Sequence, residues 1–546
     1  MRVLGISPAH DSSICVWKDN RLEFFAKEER FSRVKRDRMP WNCIDMVEGK
    51  IDAIAIASPT SDFSNVYLKQ ILEKKFNCPV YDYSDKHHLC HAALAYYNSN
   101  FAKSLVFVID RNGSVVEDVM REAETVFLAE YPEFKVLHKN YWVFNTGADA
   151  DHQTLAVTNK MKFKGDSFNA DSTMSIVKVY ESATSLIGQH PLENGKTMGL
   201  ASYGEDKPFV DLFSRNRPND NLFVHDYFVE KDQTTTLFRD HIGLTTTEVD
   251  PDNYQEYADY AYQVQKQTQE QVLALIKKYV EQTGIKEVCV TGGYALNVVA
   301  NSYLVKNLPD VKFYFEPLAD DSGNSIGAAQ HLYRSITGDS SLSFVTDNTC
   351  FHTWQPYLDK TIGSDVTLND IVELLIAQKT VAIFNSRAEA GPRALGNRSI
   401  LFDARNKNAK EIVNKIKKRE WYRPFAAMVL KEDFEKYFDT IGMESCPFMN
   451  MSFDVKLPEE IPGVVHVDNS CRVQTVSMID YPHIMVDILT LFKEKTGCSV
   501  LLNTSFNLAG EPLVETQEDA IRTFNNSDID VLWFPQIGKY LKKDTL

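Results

Sequence analysis

The chain opens on an apolar run at 3–6, breaks at the polar stretch Ser7-Pro8-Ala9-His10-Asp11 and resumes its apolar pattern at 14–17. Runs of this kind around a polar turn predict strand, turn, strand. Similar apolar runs recur at 51–57, 105–109 and 288–290, each followed by a polar or Gly-containing segment. Between them, apolar residues at helical spacing predict helices over 254–281 and 366–378. Such alternation predicts an α/β fold with helices covering sheets. Three turns place Asp or Gly at strand ends, at His10-Asp11, Asp110 and Gly292-Gly293, which suggests loops converging on one cleft. The stretch 336–360 lacks periodicity and carries turn residues, so a boundary is expected there, between domains at 1–345 and 346–546.

Composition narrows the classes. With 546 residues, 44% hydrophobic and 25% charged, the chain is neither disordered nor fibrous and is too long for a single core. No run approaches the ~18 apolar residues of a membrane helix, and the first residues lack the apolar stretch of a signal peptide. The nine cysteines are scattered and never form CxxC, which suits a reducing cytoplasm. A net charge of −16 argues against duplex nucleic acid and membrane surfaces as partners. It is unevenly spread. Residues 381–425 hold eleven Lys/Arg against four Asp/Glu, leaving −23 for the rest, so a local site for a small anion is expected. A second basic cluster, Arg30, Arg33, Lys35, Arg36 and Arg38, reads as a solvated loop or an internal phosphate contact.

The candidate chemistry starts at His87-His88-Leu89-Cys90-His91. On a helix His87 and His91, at i and i+4, project from one face as two metal ligands need, while His88 points elsewhere. Asp110 and Asp321 are candidate partners, although a capping or turn role would explain either one alone. Two His and two Asp would suit Fe(II), Zn or Mn. Gly292-Gly293, between a strand and a helix, would let a phosphate approach the backbone, although for a lone Gly pair a ligand-free tight turn is the preferred reading. The Gly-rich stretch 194–204 does not match a P-loop, because position 190 is His. In the second domain four polar clusters, at 387–400, 417–424, 466–474 and 503–507, set Arg forks beside Asn, Ser and Thr donors, a combination suited to phosphate.

Taken together these motifs resemble the O-carbamoyltransferase family of nodulation-factor and antibiotic tailoring enzymes (NodU/CmcH-like). The resemblance runs through GIxxxHDSS at 5–13, EERFSR at 28–33, HHLCHAA at 87–93, KTMGLASYG at 196–204, GGYALNVVAN at 292–301 and DSGNSIGAA at 321–329. It continues through EAGPRALGNRSI at 389–400, KREWYRPFA at 418–426, HVDNSCRVQTV at 466–476 and NTSFN at 503–507. It implies a duplicated actin/Hsp70/sugar-kinase-like α/β domain followed by a YrdC-like α/β domain. The second would make carbamoyl adenylate from carbamoyl phosphate and ATP; the first would pass the carbamoyl group to an acceptor hydroxyl on a sugar, a natural product or a hydroxymethylated pyrimidine. The resemblance assigns His87, His91, Asp110 and Asp321 to a divalent metal, Fe(II) first, with Zn, Mn or Mg as alternatives. It assigns His10 to the base, with Asp11 beside it, and Gly292, Gly293 and Asn297 to the adenylate. Arg398, Lys418, Arg419, Arg423, Arg472, Asn503, Ser505 and Asn507 would hold carbamoyl phosphate and ATP. One departure stands out: Arg111 follows Asp110 where the family usually has Gly. A kinase-like ATPase and a non-catalytic metal- and nucleotide-binding regulator are the competing readings. Acceptor contacts are expected in 36–45 and 111–175, and a homodimer is the base-rate expectation.

Overall fold

The computed structural model of the protein describes residues 1–59, 63–116, 120–143, 162–163, 166–167, 175–209, 211–213, 249, 251–341, 352–479 and 484–543. Much of 111–175, expected to touch an acceptor, lies outside the described residues. The chain forms two compact units. One comprises Met1–Ala9, Trp17–Arg21 and Gly49–Phe344; the other comprises His10–Val16, Leu22–Glu48 and Val345–Leu546.

The first half of the chain carries two large sheets with one strand order. Strands β1 (Arg2–Ser7), β2 (Ser13–Lys18), β3 (Arg21–Lys27), β4 (Ala53–Ile56) and β5 (Val80–Asp82) follow the order β3-β2-β1-β4-β5. β1, β4 and β5 run parallel, with Val3 opposite Ala53 and Ile54 opposite Val80. The second sheet uses β6 (Lys103–Ile109), the two-residue β7 (Val115–Val116), β8 (Met120–Glu130) and β9 (Glu133–Val143). After a separate small hairpin, β10 (Lys162–Phe163) and β11 (Asp166–Ser167), it is completed by β12 (Glu287–Thr291) and β13 (Lys312–Phe315). Leaving β7 aside, its order is β9-β8-β6-β12-β13, again third, second, first, fourth, fifth. Such a repeat is the internal duplication of an actin- or sugar-kinase-like α/β fold. Its central strand β6 is buried at six of seven positions, as a strand covered on both faces must be. Helix His87–Ser99 seals one face, packing Ala92, Tyr96 and Tyr97 onto Val106, Val108 and Phe127.

The second unit centres on a mixed sheet of nine strands. These are β14 (Ser364–Asp365), β15 (Val381–Phe384), β16 (Arg398–Asp403), β17 (Ala426–Leu430), β18 (Ser452–Asp454), β19 (Ser470–Val476), β20 (Val500–Ser505), β21 (Val531–Phe534) and β22 (Lys539–Lys542). Their order is β14-β22-β21-β15-β16-β20-β17-β19-β18. β15, β16 and β17 are wholly buried, and Phe384, Ile400, Phe506 and Phe534 form a core on one face. The predicted helix at 366–378 is Leu368–Ile376, started by a Thr367/Asp370 capping box. The predicted helix at 254–281 is Gln255–Thr283 and ends at Gly284 in the left-handed region.

Candidate functional site

Four buried side chains meet in the first unit. His87 and His91 lie one turn apart on helix His87–Ser99, Asp110 follows β6, and Asp321 opens the short turn before helix Asn324–Thr337. One ligand atom from each lies within 4.8 Å of all the others. His87 Nε2 is 3.3 Å from Asp110 Oδ2 and 3.5 Å from Asp321 Oδ1, and His91 Nε2 is 3.4 Å from the same Asp321 oxygen. A close approach of two helices makes the meeting possible: a Cβ on Gly327 would stand 1.9 Å from the Cys90 carbonyl oxygen. His88 turns away, its Nδ1 2.7 Å from Thr125 Oγ1, and burial lowers its pKa to about 4.

The electrostatics of this cluster favour a cation. Burial alone would disfavour a charged His87, yet Asp321 and Asp110 outweigh it and raise the imidazole to about 10. Asp110 is likewise held below the usual carboxylate range: burial opposes this, and the nearby His87 and His91 imidazoles together outweigh burial. Both ring nitrogens of His87, and Nδ1 of His91, are buried without a hydrogen-bond partner among the described residues. Orphaned imidazole nitrogens beside two carboxylates fit a divalent ion, so these four residues could hold a metal.

The turns around the cluster have defined tasks. Gly292 adopts φ +82, and a Cβ there would lie 2.6 Å from the Ile109 carbonyl oxygen, so glycine is required where β12 closes on β6. Gly293 N–H donates to Asp110 Oδ1 at 3.1 Å, which ties the Gly-Gly turn to the cluster. Asn297 caps helix Val298–Asn307 through Ala300 N–H and exchanges amide hydrogen bonds with Gln265. Arg111 donates to Glu181 Oε1 at 2.6 Å, and Lys178 reaches the other Glu181 oxygen at 2.7 Å. The bulk beside Asp110 is thus directed into a buried ion pair.

His10 and Asp11 fall in the second unit. His10 Nδ1 is 3.0 Å from Asp11 Oδ2, and the buried Lys27 ammonium is 2.9 Å from Asp11 Oδ1. Burial would raise the Asp11 pKa, but Lys27 and then His10 outweigh it and hold Asp11 well below the carboxylate range. The neighbouring basic cluster is partly internal. Arg30 lies beside Glu29 and Glu515, and Arg33 donates to the carbonyls of Pro512 and Leu513.

The same unit crowds cations together. Lys417, at the end of helix Ala409–Lys417, is buried, and its ammonium donates to Ser505 Oγ at 3.1 Å, to the Ser505 carbonyl and to the carbonyl and Oδ1 of Asn507 at 2.9 and 3.1 Å. Arg419 donates to Asn414 and to the Pro424 carbonyl and stacks 4.0 Å over Phe425. Arg423 is 3.5 Å from Glu420. Burial, then the mutual repulsion of these cations, pulls Arg393 and Arg419 well below the usual arginine pKa, and burial with Arg423 takes Arg472 to about 10. Arginine keeps its proton in proteins, so these shifts measure an unfavourable field that a bound polyanion would relieve.

Comparison with known sequences decides the family. The family described as "Carbamoyltransferase N-terminus" matches residues 60–330, and "Carbamoyltransferase C-terminus" matches 372–541. The chain belongs to the carbamoyltransferase family. It is similar to nodulation protein NolNO of Sinorhizobium fredii, at 27% identity over 98% of this chain and 79% of the relative. It is also similar to the uncharacterized protein sll1178 of Synechocystis, at 28% identity over 97% of this chain and 95% of that one. Among solved structures, HypF of T. kodakarensis superposes with a TM-score of 0.41 at 11% identity, over 63% of this chain and 49% of its own.

In this carbamoyltransferase five of the residues expected to bind anions have other surroundings: Arg398, Lys418, Asn503, Ser505 and Asn507. Arg398 is buried, stacks 3.6 Å over Phe384 and donates to the carbonyls of Asn385, Ser386, Asn397 and Glu515. Lys418 is exposed, in the left-handed conformation that ends its helix. Asn503 acts as a strap, donating to the Ala394 carbonyl and to Gln474, which in turn holds the Leu395 carbonyl. Ser505 and Asn507 bind Lys417. The residues that reading the sequence missed are Arg393 and Lys417. The phase of helix Ala409–Lys417 carried the signal for the lysine: Ala409, Val413, Ile416 and Lys417 share its buried side.

Proposed function

We propose that this carbamoyltransferase is ATP-dependent and carbamoylates an acceptor hydroxyl. In residues 346–546 water cleaves carbamoyl phosphate to carbamate and phosphate, and a carbamate oxygen attacks the α-phosphate of ATP, releasing pyrophosphate and forming carbamoyl adenylate; residues 1–345 pass the carbamoyl group to the hydroxyl and release AMP. The observation that carries the reading is the crowding of Arg393, Lys417, Arg419, Arg423 and Arg472, a partly buried field that suits the phosphates of both substrates. Activation is chemically required, because carbamate is a poor electrophile and adenylation supplies a leaving group.

In the transfer step Asp11 accepts the His10 Nδ1–H, which fixes the tautomer and leaves the lone pair on Nε2. That nitrogen takes the acceptor proton as the new C–O bond forms and AMP departs. Lys27 keeps Asp11 ionised for this task. His87, His91, Asp110 and Asp321 hold a divalent ion, which supplies Lewis acidity toward a phosphate or carbamoyl oxygen when bound. Gly292, Gly293 and Asn297 hold the nucleotide end of the adenylate.

The test needs no acceptor. The protein is incubated with ATP and carbamoyl phosphate, with and without Fe(II) or Mn(II), and pyrophosphate and AMP are followed. Pyrophosphate release that depends on carbamoyl phosphate is expected; ADP formation, or independence of carbamoyl phosphate, would refute the proposal. His10→Asn is expected to abolish transfer to a hydroxylated acceptor while pyrophosphate release continues, and normal transfer by that variant would remove His10 from the role of base.

A further inference from the structure

Helix Asn324–Thr337 starts three residues after Asp321, and its first side chain is wholly buried. The Asn324 carboxamide faces the metal cluster. Its Nδ2 lies 3.0 Å from His91 Nε2, the same nitrogen that stands 3.4 Å from Asp321 Oδ1. The other end of the amide, Oδ1, is buried with no hydrogen-bond partner among the described residues.

An amide nitrogen has no lone pair to give a metal, whereas an amide oxygen is a hard donor of the kind Fe(II), Mn(II) and Mg(II) accept. The two ends exchange by a half-turn of the planar group, and only their surroundings decide between them. With the nitrogen toward His91, an N–H sits on the lone pair that an ion would use. With the oxygen there, the amide adds an acceptor to the side of the cluster where His91 and Asp321 already meet. The close contact of Gly327 with the Cys90 carbonyl holds the helix that carries Asn324 near the helix that carries the histidines.

We propose that Asn324 is a fifth metal-facing residue, whose carboxamide oxygen joins His87, His91, Asp110 and Asp321 and favours oxygen-preferring ions, Mn(II) and Fe(II), over Zn(II). The inference rests on the metal reading of the cluster given above. Zinc is satisfied by four ligands in a tetrahedral set, while Fe(II) and Mn(II) take more and harder donors, so an added oxygen shifts the preference.

The experiment is equilibrium titration of the metal-stripped, full-length protein with Mn(II), Co(II) and Zn(II), recording the visible absorption of the Co(II) form. Asn324→Ala is expected to weaken Mn(II) and Co(II) binding about 10–100-fold and Zn(II) binding less, with stronger Co(II) bands as coordination falls toward four. Asn324→Asp, which keeps an oxygen in place, is expected to retain tight binding and weak bands. Dissociation constants within about twofold of the parent protein in Asn324→Ala, with an unchanged Co(II) spectrum, would overturn the proposal, by the same outer-sphere scale. Equal losses for all three ions, or a loss in Asn324→Asp as large as in the alanine variant, would overturn it too. Should the alanine variant fail to fold, Asn324→Ser takes its place. Metal binding that is absent from the parent protein would instead sink the metal reading. Binding that His87→Ala abolishes and Asn324→Ala leaves intact would sink only the role of Asn324.

Discussion

The two buried polar clusters solve opposite problems. Around His87, imidazoles and carboxylates are interleaved; the carboxylates pull the His87 pKa up to about 10, so the cluster prefers an added positive charge. Around Arg472, guanidinium and ammonium groups repel one another, and burial with Arg423 takes Arg472 down to about 10. Both sites are dry enough for charge to matter. The first field favours a cation and the second an anion, and in each case the field points to a class of ligand more than any single contact does.

The sharpest way to break this contrast is to remove a cation from the second cluster. Arg423→Ala or Arg472→Ala is expected to lower carbamoyl-phosphate-dependent pyrophosphate release by on the order of 10²–10³-fold, with metal content unchanged, as measured by release assay and elemental analysis. Replacing His87 or His91 by Ala should do the reverse, stripping the bound metal at least about tenfold while pyrophosphate release stays within a few fold. A variant that lost both properties would show that the two clusters do not act separately.

Glu316 sharpens the contrast inside the first unit. Like Asp110 it is a buried carboxylate, but the donors it meets are neutral: Leu318 N–H, Tyr314 Oη and Asn98 Nδ2. Burial therefore wins and raises its pKa to about 7 from an ordinary 4.5. The folded state holds this proton more tightly than the unfolded chain, so Glu316 costs stability as pH rises from about 4.5 to 7, with the full cost above 7. Glu316→Gln is expected to gain on the parent protein between pH 5 and 8 by on the order of 3 kcal/mol in denaturant titrations. A constant difference across that range would place the carboxylate in a wetter setting. The smallest expected effect is that of Arg111→Gly. It leaves Glu181 with Lys178 and costs about 1–2 kcal/mol of stability by thermal melting.

The His87/His91 pair was legible in the sequence because its geometry is local, two histidines one helical turn apart, whereas Asp110 and Asp321 join it only through the fold. The strand runs at 3–6, 105–109 and 288–290 were legible for a similar reason, since buried parallel strands read as unbroken apolar stretches. The cation cluster was harder. In Lys417-Lys418-Arg419 only helix phase separates the inward lysine from the exposed one, and in 387–400 nothing local distinguishes Arg393 from Arg398. Arg398 sits in β16 and its partners are carbonyls as distant as that of Glu515, so its structural use depends on strand pairing that no short motif encodes. The long pair β8 and β9 passed unnoticed because its residues alternate with polar ones and carry no turn signature except Tyr131-Pro132.

Gly327 contributes no ligand, no charge and no hydrogen-bonding side chain, yet it sets how near two ligand-bearing helices can come. A transplant of this centre into another scaffold would therefore have to carry the missing side chain along with the four that are present. Copying the histidines and aspartates onto elements held farther apart would reproduce the list of donors without the distance that brings them together.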